Sequence, residues 1–537
     1  MKKIIIIAFF AFTLGLSRIS AQTVLSDDTN ALKAQELFLL NGELLPVFTW
    51  PVSAEFLCFE LAQLAERAPE LADEIGELIL SILPSENLLV FYGVRSNLQY
   101  RIGGVTGLSS EGEDRFIDIK RVILDAPNFA DLDFSIGNPL GIGLGAALNL
   151  RREWMHDYSA DTNIPEIGLS GNPVAFDNHM TEYADLFYNA QDWSFYFGRS
   201  AMHWGQLNHS SLYVAESVPY LDRAGVNVRL GLFRFDWFMA SIQNVRSADG
   251  FDIVPDSGFG FESDGTPSVT WFSAKRFSFQ GKTWCLGIGE LLLYSRRGNY
   301  LLLTDFLPVI DWHSTDVRPN NMIVYLDFTW VPYKGIKVFA MAGFDDVSGD
   351  IFGVADGEIP TIPAYIAGID TAYKINKEIS VSARAELGWT HYLWGNFDAQ
   401  RSSLADYSGH FARAVFRYIS DEGAILIPLT SPYGPGTFWL NTYGLLKLRN
   451  LGLQFGVDCV FLWKYPDVDL VRTGYFTQSE YSGFPPFYYA RTEIFGTYAN
   501  KLMEVSLAPG FEIGRGGVNL FLSLRVSIFN SGYIILN

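Results

Sequence analysis

The residues best suited to chemistry crowd into one stretch, Asp192–Arg223, with the sequence DWSFYFGRSAMHWGQLNHSSLYVAESVPYLDR. Arg199 follows a strand-like run in which Trp193, Phe195 and Phe197 alternate with Ser194, Tyr196 and Gly198. His203-Trp204-Gly205, then Glu216 and a Pro219–Arg223 turn, come after it. A buried guanidinium needs a carboxylate or other acceptors. The acids available to it are Glu216 and Asp222 nearby, and Glu290, Asp327, Asp345 and Asp346 further along. Catalysis finds little support. The seven histidines form no HxxxH or HExxH, and there is no GxSxG and no GxxxxGK[ST]. Glycoside hydrolysis needs two carboxylates flanking one bond. Asp345-Asp346 cannot supply them as adjacent strand residues, because neighbours on a strand point to opposite faces. Cys58, Cys285 and Cys459 are far apart and odd in number, which fits neither a disulfide framework nor a zinc site. The expectation is a non-enzyme with no cofactor and no metal.

Sugar binding is a better match to the residue types. It asks for flat apolar rings beside amides, carboxylates or guanidinium groups. Trp312 lies beside Asp311 and His313; Trp394 lies near Tyr392, Asn396 and Asp398; Tyr433, Phe438 and Trp439 share a Pro/Gly-rich segment. Each ring could equally belong to a membrane-interface girdle, and Phe197–Gly205 could equally be interior packing. The candidates for glycan contact or for an interior polar network are Arg199, His203, Trp204, Glu290, Asp311, Trp312, Asp345, Asp346, Trp394 and Trp439.

The elements that must position these residues are strands. From Leu88 onward the hydrophobic period is two. Val518, Leu520, Leu522, Leu524, Val526 and Ile528 alternate with Asn519, Phe521, Ser523, Arg525 and Ser527, and Met322–Trp330 and Ile379–Trp389 behave likewise. The strands run about ten residues, enough to cross a bilayer with a tilt. Aromatic residues cluster at strand ends, as at Trp330 with Tyr333 and Trp463 with Tyr465. A sheet in lipid must close on itself. The pattern predicts a mainly β protein, a transmembrane antiparallel β-barrel of about 18 strands over residues 87–537. Short turns at Gln280-Gly281, Lys334-Gly335, Asn376-Lys377, Arg449-Asn450 and Arg515-Gly516 should face the periplasm, and the long loops the outside. Strict alternation would turn Arg199 outward. A bulge at Gly198 would re-aim it inward, to pair with Glu216 or Glu290 and tie the wall to an inward-folded loop. That inward placement is the expectation.

Residues 22–86 read as a small helical segment. Thr49 or Ser53 can cap Ala54–Ala68; Pro69 ends it; Leu71, Ile75, Leu78, Ile79 and Ile82 form a second stripe; Leu32–Leu40 suits a third helix. Residues 1–21 read as an export signal: Lys2-Lys3, an apolar Ile4–Leu16 and a small-residue Ser17–Ala21 site. Past Ala21 no apolar run is long enough for a transmembrane helix. Charged residues are 18% of the chain against about 25% in soluble domains, as expected when much of the surface meets lipid. The formal charge of −20 becomes −23 once Lys2, Lys3 and Arg18 are removed, which argues against nucleic acid as a partner.

The chain resembles the outer-membrane capsule assembly proteins of the Wzi type. The likeness is carried, in order, by Thr49-Trp50-Pro51-Val52-Ser53, by Phe197-Gly198-Arg199 to Trp204-Gly205, by Leu286–Tyr300 with Glu290, and by Lys337–Val347 with Asp345-Asp346. It covers most of the mature chain. The serine-rich run after His209 and the stretch Ile427–Trp439 depart from the family pattern. The resemblance implies an 18-stranded barrel with a periplasmic helical bundle and a lectin-like role: a monomer that holds capsular or other surface polysaccharide at the outer membrane, in contact with its lipid. A general or substrate-specific porin is the alternative, which requires an open lumen.

Overall fold

The computed structural model describes residues 23–24, 29–82, 88–104, 120, 125–137, 142–151, 162–164, 181–190, 192–205, 210–243, 269–294, 301–308, 320–346, 361–395, 414–420, 423–465, 486–514 and 517–536. Alternating apolar and polar residues set eighteen strands. These are β1 Leu88–Gly103, β2 Ala130–Gly137, β3 Ile142–Leu150, β4 Tyr183–Asn189, β5 Trp193–Ser200 and β6 Leu221–Leu230. Then come β7 Phe233–Gln243, β8 Val269–Gln280, β9 Trp284–Tyr294, β10 Asn320–Tyr333, β11 Ile336–Asp346 and β12 Ile362–Lys374. The last six are β13 Ile379–Thr390, β14 Thr437–Leu448, β15 Leu453–Lys464, β16 Phe487–Ala499, β17 Met503–Gly514 and β18 Gly517–Leu536. Each pairs antiparallel with its neighbours in sequence, and β18 returns to β1 from Leu536↔Leu88 to Phe521↔Gly103, which closes the barrel. No backbone edge is left for lipid to solvate, as a membrane sheet requires.

Parity sorts the side chains. Leu286, Ile288, Leu326, Phe328, Leu520 and Leu522 are exposed on the outer face, while Cys285, Tyr325, Asp327 and Phe521 are buried inside. One end of the barrel carries eight joins of two to four residues each. The other end carries the long connections, with one exception. The β17–β18 join is at the long-loop end, where Gly514 pairs with Gly517, although 515–516 themselves lie outside the described residues. It was expected among the short turns of the opposite face. Val415–Ser420 pairs with Gly423–Pro428 as a separate hairpin packed against the interior cluster rather than standing in the wall.

Among the described residues three α-helices precede the barrel: α1 Thr29–Asn41, α2 Ala54–Arg67 and α3 Ala72–Ile82. Ser53 caps α2, its Oγ accepting from Phe56 N at 3.1 Å. Leu37 and Phe38 of α1 bury against Leu57, Leu61 and Leu64 of α2 and Ile75, Leu78 and Ile82 of α3. This bundle sits on the short-turn end. Lys374 and Arg449 both meet Glu74, Lys447 and Arg449 meet Glu36, and Arg229 meets Glu60. Two backbone bonds add to the docking: Gly335 N to Leu39 O at 2.8 Å and Leu44 N to Lys282 O at 2.7 Å.

Candidate functional site in the barrel interior

Two segments enter the lumen from opposite ends and meet. From the helical side come residues 44–50, between α1 and α2; from the long-loop side come the described parts of the β5–β6 connection, 201–205 and 210–220. Thr49-Trp50 pairs antiparallel with His203-Trp204, and Gly205 N donates to Phe48 O at 3.0 Å. Trp204 is fully buried at the junction. Its ring meets Phe48, Tyr213 and Phe238 edge-on, at 6.5, 5.3 and 4.8 Å. Such arrangements favour ring quadrupoles and add to the area buried. Met202, Leu212, Tyr213, Val214 and Val218 continue this core against Phe272, Leu291, Ile323 and Tyr325 of the wall.

One arginine anchors the junction. Arg276, inward on β8 and fully buried, grips Asp327 of β10 with Nε and Nη2 at 2.8 and 2.7 Å. Its Nη1 reaches Asp236 of β7 at 3.5 Å, and Asp236 in turn accepts from Thr49 Oγ1 at 3.1 Å. The guanidinium also lies 3.4 Å from the centre of the Phe48 ring, and Tyr213 OH approaches Asp327 at 3.4 Å. Both entering segments are therefore held by one bidentate, desolvated pair. Glu386 of β13 makes a second clamp. It accepts from Ser210 N at 2.7 Å and from Trp439 Nε1 at 2.8 Å. Beside α2 and residues 46–53 a cavity of about 80 Å3 reaches Asp185, Asn189 and Tyr196 on the inner wall.

The candidates named from sequence divide three ways. His203, Trp204 and Asp345 do face the interior. Asp345 Oδ2 accepts from Gly395 N at 2.8 Å and so fixes the turn after β13. Asp346 ends β11, and nothing is described of its side chain. Asp311 and Trp312 lie outside the described residues.

Two candidates are corrected, and two more take the interior role. Arg199 does not point inward. The register around Gly198 is unbroken on both sides, so no bulge forms, and Arg199 stays on the outer face with Phe197. It lies near the end of β5, bidentate to Asp222 at 2.6 and 2.8 Å and over the Tyr220 ring at 4.2 Å. The inward arginine nearby is Arg223, paired at 2.8 Å with Asp185 and held 4.2 Å from the Tyr196 ring centre. Glu290 is not an interior acid either. Outward parity with Trp284, Leu286 and Ile288 puts it on the outer wall, where it meets Lys275 at 3.3 Å. Trp394 and Trp439 belong to the interior network, the other role open to them. Both are buried, with Nε1 bonded to Thr430 Oγ1 (3.1 Å) and to Glu386.

Sequence reading missed Arg276, Arg223, Glu386 and Phe48. Glu386 carried a signal, a charge at inward parity in a strand whose other face is apolar, whereas the outward rows beside Arg276 and Arg223 hold Lys275 and Asp222. Phe48 carried none, since it lies outside any periodic element. Among the described residues no group of three or more His, Cys, Asp or Glu is placed to hold a metal ion.

A closed antiparallel barrel with an apolar outer face and a lumen occupied by its own chain belongs to the class of outer-membrane barrels. Among solved structures the chain is similar to Wzi, an outer-membrane protein involved in group 1 capsule assembly in Escherichia coli, over 95% of this chain and 99% of that one, with a TM-score of 0.57 and 12% identity. The likeness shows the fold: this is a Wzi-like barrel. Smaller similarities are found to Pseudomonas aeruginosa OprD (TM-score 0.39, 10% identity, 84% and 96% coverage) and to Acinetobacter baumannii OccAB1 (0.39, 10%, 83% and 96%). No protein-family profile matches the sequence, and no curated protein does.

Proposed function

We propose that this protein is an outer-membrane barrel that attaches or organises surface polysaccharide through its long-loop end, with the helical bundle in the periplasm. On this reading residues 1–21 are removed on export, and the barrel works as a monomer. The observation that carries it is the plug: residues 44–50, 201–205 and 210–220 meet in one packed core fastened by Arg276 and Glu386. Such a plug is a poor path for solutes and a rigid platform for loops. The solved structure that shares the fold is described as a carbohydrate-binding barrel.

A diffusion porin is the second reading. In its favour, Arg384, Asp458, Arg491, Glu493 and Arg525 turn inward on the β13–β18 side. The test pairs a glycan array on the refolded full-length protein with single-channel recording in planar bilayers. Saturable polysaccharide binding with no steady conductance is expected. Steady conductance with no glycan retained would replace the first reading by the second.

A further inference from the structure

On the outer wall of β7–β10, parity and exposure disagree. Met239, Ser273, Lys275, Glu290, Leu292 and Tyr294 point outward by register yet are 5% exposed or less. Elsewhere on the wall, outward residues such as Leu286, Leu326 and Phe328 are 40–51% exposed. Lys275 and Glu290 form an ion pair halfway along their strands, in one row with Trp237 and Val324. Two charges at that depth would be costly against acyl chains, so something must cover them.

The described part of the β9–β10 connection reaches this place. Residues 301–308 form a short 3-10 turn, Leu303–Phe306, whose Phe306 ring meets outward Trp237 at 5.9 Å. The turn satisfies part of its own backbone: Leu302 N donates to Asp305 Oδ2 at 2.7 Å, Asp305 N to Leu302 O at 3.1 Å and Leu307 N to Thr304 O at 3.2 Å. Asp305 is itself buried. The opposite side of the turn is apolar and exposed, with Leu301, Leu302, Leu303, Phe306 and Leu307 between 37% and 79% accessible. A polar group turned inward and a row of leucines turned outward is the reverse of an aqueous loop.

We propose that this turn is a strap lying in the membrane: it folds down over the outer wall, shields the Lys275–Glu290 pair and contacts lipid acyl chains with its leucine face. The occupant of that face is lipid because it continues the lipid-facing wall. A second protein copy would need far more than these five residues, since a standard interface takes about 20–30 residues a side. The strap would therefore not serve as a surface loop for glycan contact.

The test uses the full chain with Cys58, Cys285 and Cys459 replaced by alanine and a nitroxide placed at Leu303→Cys, in phosphatidylcholine vesicles. Matched labels go at Leu326→Cys on the wall and at Asn500→Cys in a short turn. Power saturation in oxygen and in a water-soluble nickel chelate reads the depth. Labels at 303 and 326 should both favour oxygen, and the label at 500 the chelate. A chelate-accessible label at 303 overturns the proposal, because the turn is then in water. A label shielded from both relaxants also overturns it, because a protein then covers the face. If labelling disturbs assembly, Leu303→Asp gives an independent reading: the folded fraction in vesicles falls while that in detergent, where the turn can reach water, stays close to the parent. Equal folding in both would contradict the strap. Neither outcome bears on polysaccharide retention, which is read separately.

Discussion

Replacing Arg276 with methionine is the sharpest test of the interior core. The side chain volume is nearly conserved, so the change removes charge and hydrogen bonds rather than bulk. Arg276 is fully exposed to no solvent, and its partner Asp327 is only 4% exposed. Removing one member of so dry a pair leaves the other as an uncompensated buried charge, worth about 3–5 kcal/mol. Loss of the cation over the desolvated Phe48 ring adds up to about 2 kcal/mol. We expect Arg276→Met to destabilise the barrel by about 4 kcal/mol. It should also loosen residues 44–50, whose Phe48 and Thr49 depend on this cluster. The assay is urea unfolding from lipid vesicles, followed by gel mobility of unheated samples and by tryptophan fluorescence, with conductance recorded on the same preparation. A companion Arg276→Met/Asp327→Leu should recover most of the loss, since a buried ion pair replaced by apolar groups is often neutral. An unchanged unfolding midpoint and silent conductance in Arg276→Met would refute the reasoning, and so would a double variant no better than the single.

Three more outcomes follow from the same geometry. Arg199→Ala should cost no more than about 1 kcal/mol in the same unfolding assay, because the Arg199–Asp222 pair is 31% and 48% exposed; a loss of several kcal/mol would place the residue inside after all. Deleting residues 54–82 should leave a barrel that is exported and assembled, while Phe48→Ala should destabilise it by about 3–5 kcal/mol; failure of the truncated form to assemble would make α2 and α3 integral to the barrel. Glu74 sets the pH dependence of docking. Burial alone would raise its pKa, but hydrogen bonds from Lys374 and Arg449 outweigh that and hold it below the ordinary glutamate range. A depressed carboxylate stabilises above its unfolded pKa of about 4.3 and loses that contribution as pH falls through the folded value. Hydrogen–deuterium exchange should find α3 protected from pH 7 down to 5 and released only at lower pH, or earlier at high salt; release already at pH 5 would contradict it.

Much of the wall was readable because strand parity is a local property. The outward row Val518 to Ile528 and the inward Asn519 to Ser527 stand where alternation put them, and β18 closes on β1. The two misplaced charges show where the reading went astray. For Arg199 strict parity pointed outward, and an aversion to charge in lipid argued for turning it in; Glu290 was named as an interior partner without its strand parity being followed. Parity held in both cases, and the chain solved the charge problem by other means. Arg199 sits near a strand end beside Asp222, where the cost of a cation is small. Glu290 is paired with Lys275 and buried beneath other residues of the chain. Neither remedy is visible in a ten-residue window, since both depend on where a distant segment comes to rest.

The same limit hid the interior site. A tryptophan beside polar residues reads alike whether it stacks on a sugar or packs on a plug. Trp394 and Trp439 are packed because Thr430 and Glu386 take their indole N–H groups, and those partners are brought in by the fold. Phe48 meets Arg276 only because one segment threads the barrel from the helical end. What can be read without coordinates is narrower and still useful. An inward charge on a membrane strand must be met by lumen water or by another part of the chain, and at the buried Arg223, Arg276, Asp327 and Glu386 it is the chain that meets it.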